Sequence, residues 1–259
     1  MLRTGLCRTY SPERNAEHPQ VRMLVSLREL DRLGSELIMD YRGLSGSRGT
    51  RSVDIEDFAR SYLGLSIQYR EFATGDPGDI GFYGDGRSRL RILEKGKPLD
   101  WLCPDRTIVI ERKLLPHSEM GARRFTIAHE AAHFILIRHV PLQAEEYFLK
   151  PGSYNAVSSI SALISVMELN ERCADRLAAA LLMPEFLVRR AMSRAGGMRH
   201  IPVYGNGIMP QDAKLAVTDM AKHLGVSYSA MLNRLGELML IRRMPFSEYA
   251  QKGLRAGAV

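Results

Sequence analysis

Apolar side chains return every three or four positions between residues 27 and 41, which is the spacing of one helical face. The positions are Leu27, Leu30, Leu33, Leu37, Ile38 and Tyr41. The stretch that follows, GLSGSRGTRS at residues 43–52, has the glycine and serine content of a linker. We therefore predict one amphipathic helix that ends near Gly43, and a compact domain that begins after it.

A small β-sheet is predicted in the next part of the chain. The SIQYREF segment at residues 66–72 alternates like a strand, and residues 89–93 and 107–111 are apolar or β-branched runs. Turn-forming residues separate these runs, so we expect the sheet to be antiparallel. The glycine- and aspartate-rich segment GDPGDIGFYGDG at residues 75–86 predicts a turn, and a short helix should follow Asp54.

The second half of the chain is predicted to be helical. Apolar periodicity and helix stop signals indicate helices at residues 118–137, 160–183, 214–224 and 227–240. The segment GGMRHIPVYGNGIMP at residues 196–210 has the composition of a linker-like loop. These elements predict three regions: an N-terminal extension at residues 1–50, a central domain at residues 51–195 and a C-terminal helical region at residues 196–259.

Composition places the chain among ordinary globular proteins. Of 259 residues, 45% are hydrophobic and 25% are charged, values that suggest neither disorder nor a fibrous protein. No apolar run approaches the roughly 18 residues that span a bilayer, and the first residues lack the apolar core of a signal peptide, so we expect a cytoplasmic protein without a membrane partner. Three cysteines without CxxC spacing argue against a disulfide framework and a cysteine-rich zinc site.

The candidate chemistry is concentrated in the motif His129-Glu130-Ala131-Ala132-His133. Four residues advance a helix by about 400° and 6 Å, so His129 and His133 leave one face and can bind a single tetrahedral Zn²⁺. Glu130 lies about 100° around the helix, where it can accept a proton from water at the open metal position. The spacing is typical of a metallopeptidase with Glu130 as catalytic general base. We expect about one Zn²⁺ per chain, with Mn²⁺ or Fe²⁺ as alternatives.

A third metal ligand is needed, and the sequence offers five candidates: His139, Glu168, Glu171, Cys173 and Asp175. His139 has the metzincin spacing, but that arrangement needs a glycine where this chain has Leu136. Glu171 and Asp175 are four residues apart and share a helix face. We therefore predict Glu171 as the ligand and Asp175 as acceptor of the other ring N–H of a ligating histidine. The alternative is that both are solvated helix carboxylates.

Two segments resemble signatures of the ImmA/IrrE family of metallopeptidases. Residues 124–130, RFTIAHE, resemble the family's RFTxAHE signature, and residues 181–184, LLMP, match a second signature. In that family a ligand glutamate lies ten residues before the first leucine of LLMP, which falls on Glu171 here. The resemblance covers about residues 53–241. Cys173 departs from it, since many members carry another acid there.

The resemblance implies an α+β fold, with a mainly helical, zincin-like (gluzincin-type) peptidase core, a small β-sheet and a C-terminal helix-turn-helix-like pair. It also implies an endopeptidase that cleaves a helix-turn-helix (XRE-type) repressor and so controls a mobile element or a stress response. Such peptidases commonly bind an extended chain beside a sheet edge, for which the TIVIE segment at residues 107–111 is the candidate, with a core strand as the alternative. Tyr147, Tyr154 and Tyr204 are unranked candidates for stabilising the oxyanion.

A rival function comes from residues 217–240, which resemble a helix-turn-helix. A DNA-binding or partner-binding regulator with a structural metal is therefore the alternative, and the net charge of +7 would favour nucleic acid. The second helix offers only one basic side chain, Arg234, so we do not expect direct DNA binding. A further alternative is an inactive scaffold that retains the metal, although Glu130 would have no use in it.

Overall fold

The computed structural model describes residues 26–46, 51–76, 78–139 and 160–250, and in these ranges the chain is a mixed α/β protein, as predicted. The α-helices are α1 (Leu27–Leu44), α2 (Ile55–Asp57), α3 (Met120–His139), α4 (Ile160–Leu182), α5 (Glu185–Arg194), α6 (Gln211–Leu224) and α7 (Tyr228–Glu237). The strands are β1 (Ser66–Phe72), β2 (Gly81–Gly84), β3 (Arg89–Glu94), β4 (Lys97–Leu102), β5 (Thr107–Glu111), β6 (Ile201–Tyr204) and β7 (Ile241–Met244). A π-helical turn, Phe58–Tyr62, continues α2, and two 3₁₀ turns, Arg112–Leu114 and His117–Glu119, precede α3.

Five strands form one sheet in the order β2-β5-β1-β3-β4. β1 and β5 run parallel, whereas the other neighbouring pairs are antiparallel, so the prediction of an antiparallel sheet was wrong at its centre. A parallel pair needs a connection of a dozen or more residues, and the chain between Phe72 and Thr107 provides one. The sheet is therefore mixed.

The TIVIE segment, β5, is an interior strand, and its candidacy as the sheet edge was wrong. All five of its residues are buried, because β1 and β2 pair with it on either side and α3 packs against it. The edge next to α3 is β2, which lies inside the segment predicted to be a turn. These residues have a composition that favours a turn, but their pairing with β5 gives them the conformation of a strand.

Helix α3 packs against β2 and β5 on one side and against α4 on the other. Helix α1 crosses α4 at close range, since a Cβ atom added to Gly34 would lie only 2.7 Å from Cβ of Ala180. Leu30, Leu37 and Ile38 of α1 are buried in the same hydrophobic core as α3 and α4. The N-terminal helix thus forms part of the support behind α4, while the division of the chain into three regions stays a prediction.

Helices α6 and α7 are the two helices that the sequence predicted to be joined at Gly225, and we call them the helix-turn-helix-like pair. Gly225 turns the chain with a left-handed φ of 65°, a conformation that glycine adopts at little cost. Ser227 begins α7 by accepting a hydrogen bond from the backbone N–H of Ala230. The linker-like interpretation of residues 196–210 was wrong, because they contain β6, which pairs in parallel with β7. Across the described ranges, no helix combines the length and apolar character needed to cross a membrane.

Candidate metal centre

Helix α3 presents His129 and His133 on the same face, one turn apart. Their Nε2 atoms are 3.0 Å apart, and their ring centroids are separated by 4.7 Å. Both rings are partly buried, whereas Ala131 and Ala132 between them are fully buried. These small residues let α3 lie close to its neighbours while the two imidazoles remain accessible, as the four-residue spacing predicts.

Helix α4 brings Glu171 to the two histidines. Its Oε2 atom lies 3.1 Å from Nε2 of His129, and its Oε1 atom lies 3.5 Å from Nε2 of His133. One ligand atom from each of the three residues lies within 4.8 Å of the others. The structure therefore brings together the three side chains that the sequence singled out as ligands.

Asp175 lies one helical turn after Glu171 and contacts the other nitrogen of the same histidine. Its Oδ1 atom is 3.0 Å from Nδ1 of His129. With a metal ion bound, an Nδ1–H that donates to Asp175 would fix the tautomer of His129 and direct the Nε2 lone pair at the ion. Glu171 and Asp175 therefore share a face of α4 and take different contacts with one imidazole.

The donor set suits a divalent metal ion. Two imidazole nitrogens and one carboxylate are common ligands of Zn²⁺, and a tetrahedral ion at about 2.0–2.1 Å from each would hold them roughly 3.3 Å apart. The two Nε2 atoms are 3.0 Å apart, and each lies 3.1 Å or 3.5 Å from one of the two Glu171 carboxylate oxygens, distances close to that value. The Glu171 side chain is 59% exposed, so solvent reaches the cluster from that side. The group could thus hold a metal ion with an open position.

Charge in the cluster is arranged to favour a cation. Burial of the ring by itself lowers the pKa of His129, but hydrogen bonds with Asp175 and Glu171 outweigh burial and raise that pKa to about 10. Hydrogen bonds from His129 and His133 hold the pKa of Glu171 well below its usual range. The carboxylates therefore stabilise positive charge where the three ligand atoms meet.

Glu130 lies beside the cluster and is almost fully buried. Burial raises the pKa of its carboxyl group, and the neighbouring imidazoles of His133 and His129 partly oppose that rise. The backbone N–H of Tyr83 in β2 donates a hydrogen bond to the carboxylate. Strand β2 therefore covers the predicted general base directly, a contact that the sequence did not predict.

The other candidates are placed differently or lie outside the described residues. Helix α3 continues without a break to His139. A continuous helix was the reason for not choosing His139 as a metal ligand. Cys173 is buried in the core as a free thiol, and burial raises its pKa. Tyr204 is buried in β6, where its ring contacts that of Tyr249. The structure does not describe Tyr147, Tyr154 or the side chains of His139 and Glu168.

Arg124, the first residue of the RFTIAHE segment, links α3 to the helix-turn-helix-like pair. Its Nε atom donates to the carbonyl of Gly225 at 3.1 Å, and its Nη2 atom donates to the carbonyl of Val53 at 2.9 Å. The same Nη2 lies 3.4 Å from the carbonyl of Leu224, at the end of α6. A cation at a helix C-terminus also interacts favourably with the helix dipole. The arginine therefore fixes the N-terminal part of α3 against the turn between α6 and α7.

A second set of charged residues holds α4 from behind and was not predicted. Arg176 contacts Asp31 of α1 and lies 2.9 Å from the Glu237 carboxylate in α7. Arg234 lies 2.6 Å from Asp31 and 3.0 Å from Glu237, and its Nε donates to the carbonyl of Met183. We call Asp31, Arg176, Arg234 and Glu237 the charged tetrad. It joins α1, α4 and α7 directly behind the residues that face the metal cluster.

Comparison with known proteins identifies no relative of this chain. No family model matches the chain, and no curated protein matches it. Fold and site define a mixed α/β protein in which two helices meet at a His-His-Glu group able to hold a metal ion.

Proposed function

We propose that this protein is a zinc-dependent endopeptidase of the ImmA/IrrE type. The observation that carries the proposal is the position of Glu130, which is buried next to His129 and His133 without belonging to the His-His-Glu group. Burying a carboxylate is costly, and a metal site with a purely structural role has no need of it. A general base beside the open side of the cluster gives this carboxylate a use.

The chemistry follows from the contacts of each side chain. A Zn²⁺ ion held by His129, His133 and Glu171 would lower the pKa of a water molecule toward about 7. Glu130 would accept a proton from a water molecule as the water oxygen bonds to the peptide carbonyl carbon, and would return that proton to the amine when the carbon–nitrogen bond breaks. Asp175 keeps Nε2 of His129 directed toward the ligand group.

The edge of β2, which no described strand pairs with, supports an extended peptide as substrate. The Glu111 N–H donates to the carbonyl of Ile80 at 2.9 Å, which sets the alternation of hydrogen bonds between β2 and β5. By that alternation the backbone groups of Gly81 and the carbonyl of Tyr83 point away from β5, toward an edge that no described strand covers, while the Tyr83 N–H already bonds to Glu130. A substrate strand added there would pass beside Glu130.

The resemblance of residues 124–130 and 181–184 to the family signatures supports a helix-turn-helix repressor of XRE type as the substrate. A single cut in such a repressor would end its control of a mobile element or of a stress response. A protein substrate also agrees with a site that is open to solvent at Glu171 and bordered by a sheet edge that no described strand pairs with.

Replacement of Glu130 by glutamine tests the proposal, because it keeps the shape of the side chain and removes its ability to accept a proton. We expect Glu130→Gln to keep its zinc and to cleave a co-expressed repressor, encoded by a neighbouring gene, at a rate about 10² to 10⁴-fold lower than the wild type. Glu119→Gln, at a partly exposed glutamate just before α3, is the matched control and should cleave normally. Mass spectrometry of new N-termini gives the readout. Cleavage by metal-loaded Glu130→Gln at the rate of the wild type would sink the mechanism.

A further inference from the structure

Strand β2 lies so close to α3 that there is no room for a side chain at Gly81. A Cβ atom built on Gly81 would overlap Cγ2 of Thr126 and would lie 2.6 Å from Oε1 of Glu130. Both contacts are shorter than carbon atoms in proteins tolerate, since non-bonded heavy atoms at their best separation are about 3.5–4.0 Å apart. Either the strand or the Glu130 carboxylate has to move to accommodate even a methyl group.

The backbone of Gly81 does not itself require glycine. The residue lies in a regular strand and has no positive φ, so any amino acid could adopt its conformation. Its missing side chain therefore has a steric reason, which is the proximity of Thr126 and Glu130. Neighbouring glycines differ: Gly75 faces open space, whereas Gly84 at the other end of β2 is crowded by Cys103, away from the cluster.

The same strand also holds Glu130 through a hydrogen bond. Side chains at alternate positions of β2 face α3, and the Tyr83 ring packs against Phe134 with centroids 5.8 Å apart. The Tyr83 backbone N–H donates to the Glu130 carboxylate. Two residues earlier, Gly81 leaves the space that the carboxylate occupies. A donor and a gap at alternate positions of one strand thus fix the position of Glu130.

We infer that Gly81 is a positioning residue for Glu130: its missing side chain lets β2 lie on α3 and holds the carboxylate beside the ligand cluster. The effect of Gly81 on catalysis rests on the proposed function, but its effect on the position of Glu130 can be tested independently of that function. A methyl group at position 81 should displace the carboxylate by an ångström or more. Misplacement of a catalytic group by about 1 Å can lower a rate roughly 10²-fold.

The structural arm of the test compares crystal structures of the wild type and of Gly81→Ala, both loaded with zinc. We expect the Glu130 carboxylate to lose its hydrogen bond to the Tyr83 N–H, while His129, His133 and Glu171 still bind the metal. An unchanged Glu130 with alanine at position 81 would overturn the inference, whatever the protein does to a substrate. This arm therefore separates failure of the inference from failure of the proposed function.

The kinetic arm uses cleavage of the co-expressed helix-turn-helix repressor. Gly81→Ala should lower kcat about 100-fold with little change in KM or zinc content, because Glu130 contributes to the reaction rather than to binding. Adding Thr126→Ser removes the Cγ2 atom but keeps the hydroxyl that bonds the Ala122 carbonyl, and should restore part of kcat. Failure of Thr126→Ser to restore any activity to a folded Gly81→Ala protein would count against the steric explanation.

Two glycine controls separate positioning from general damage to the fold. Gly75→Ala adds a methyl group in open space and should leave kcat unchanged. Gly84→Ala crowds Cys103 on the same strand and should lower the melting temperature without the large loss of kcat. If Gly84→Ala and Gly81→Ala lose kcat equally at equal loss of stability, Gly81 has only a structural role and the inference is wrong.

Discussion

Arg234 and Asp31 are 203 positions apart in the chain, and their side chains meet at 2.6 Å behind the helix that carries Glu171. The Arg234 side chain is 0% exposed and that of Asp31 is 15% exposed. The contact brings α1 and α7 together on one side of α4. The tetrad balances two arginines with two carboxylates, so its interior charge is compensated.

Removal of Asp31 should destabilise the protein strongly, because it leaves Arg234 and Arg176 buried with one carboxylate between them. We expect Asp31→Ala to lower the free energy of unfolding by about 3–5 kcal/mol, as for other broken buried pairs. Urea denaturation measures the change. The control is Glu36→Ala on the same helix, whose exposed pair with Arg32 at 3.7 Å should contribute less than about 1 kcal/mol. Equal losses in the two variants would contradict a structural role of the tetrad.

Metal binding should depend on the residues that converge from α3 and α4. His133→Ala and Glu171→Ala should each empty the site, since each removes one of three protein ligands. His139→Ala should keep about one metal ion per chain. Elemental analysis of the purified variants decides between the assignments. Loss of metal in His139→Ala, with retention in Glu171→Ala, would favour the metzincin-type ligand set instead.

Asp175 should tune the metal affinity without being required for it. Asp175→Ala removes the acceptor at 3.0 Å from Nδ1 of His129 and should weaken metal binding about 10- to 100-fold. Asp175→Asn keeps an oxygen that can accept the Nδ1–H, so it should lose less. Competition with a chromophoric chelator measures both affinities. A complete loss of zinc in Asp175→Ala would make this residue a ligand rather than a second acceptor.

The helix-turn-helix-like pair should not confer sequence-specific DNA binding. The second helix offers Arg234 as its only basic side chain, and this guanidinium is fully buried in the tetrad and unable to reach a phosphate or a base edge. Filter binding to the promoter of its own operon, with salt titration, tests the expectation. Discrimination of about a thousandfold over random DNA at physiological salt would refute it.

The sequence predicted which residues share a face within each helix, because this depends only on helical geometry. A spacing of four places His129 and His133 together on any regular helix, and the same argument places Glu171 with Asp175. That α3 and α4 face each other does not follow from these spacings, and the choice of Glu171 also used the resemblance. Contacts within one element are thus far easier to predict than contacts between elements.

The strands show why the rest was missed. Gly81–Gly84 forms a strand only because β5 lies beside it, and its glycine content alone indicates a turn. The sequence of β5 does not reveal its interior position either, because a run of β-branched residues occurs in edge strands and in central strands. Arg234 looked like a surface residue, and its burial depends on Asp31, far away in the sequence. Long-range partners decide all three cases.

The contacts of Arg124 and Arg176 affect the order in which the site can be completed during synthesis. A nascent chain that has emerged as far as α4 already contains His129, His133 and Glu171, yet Gly225 and Glu237, the partners of Arg124 and Arg176, are still to be made. Because chains emerge from the ribosome N-terminus first, α3 and α4 lack these partners until α6 and α7 appear. The candidate metal centre would therefore gain its full support only late in translation, after α6 and α7 have been made.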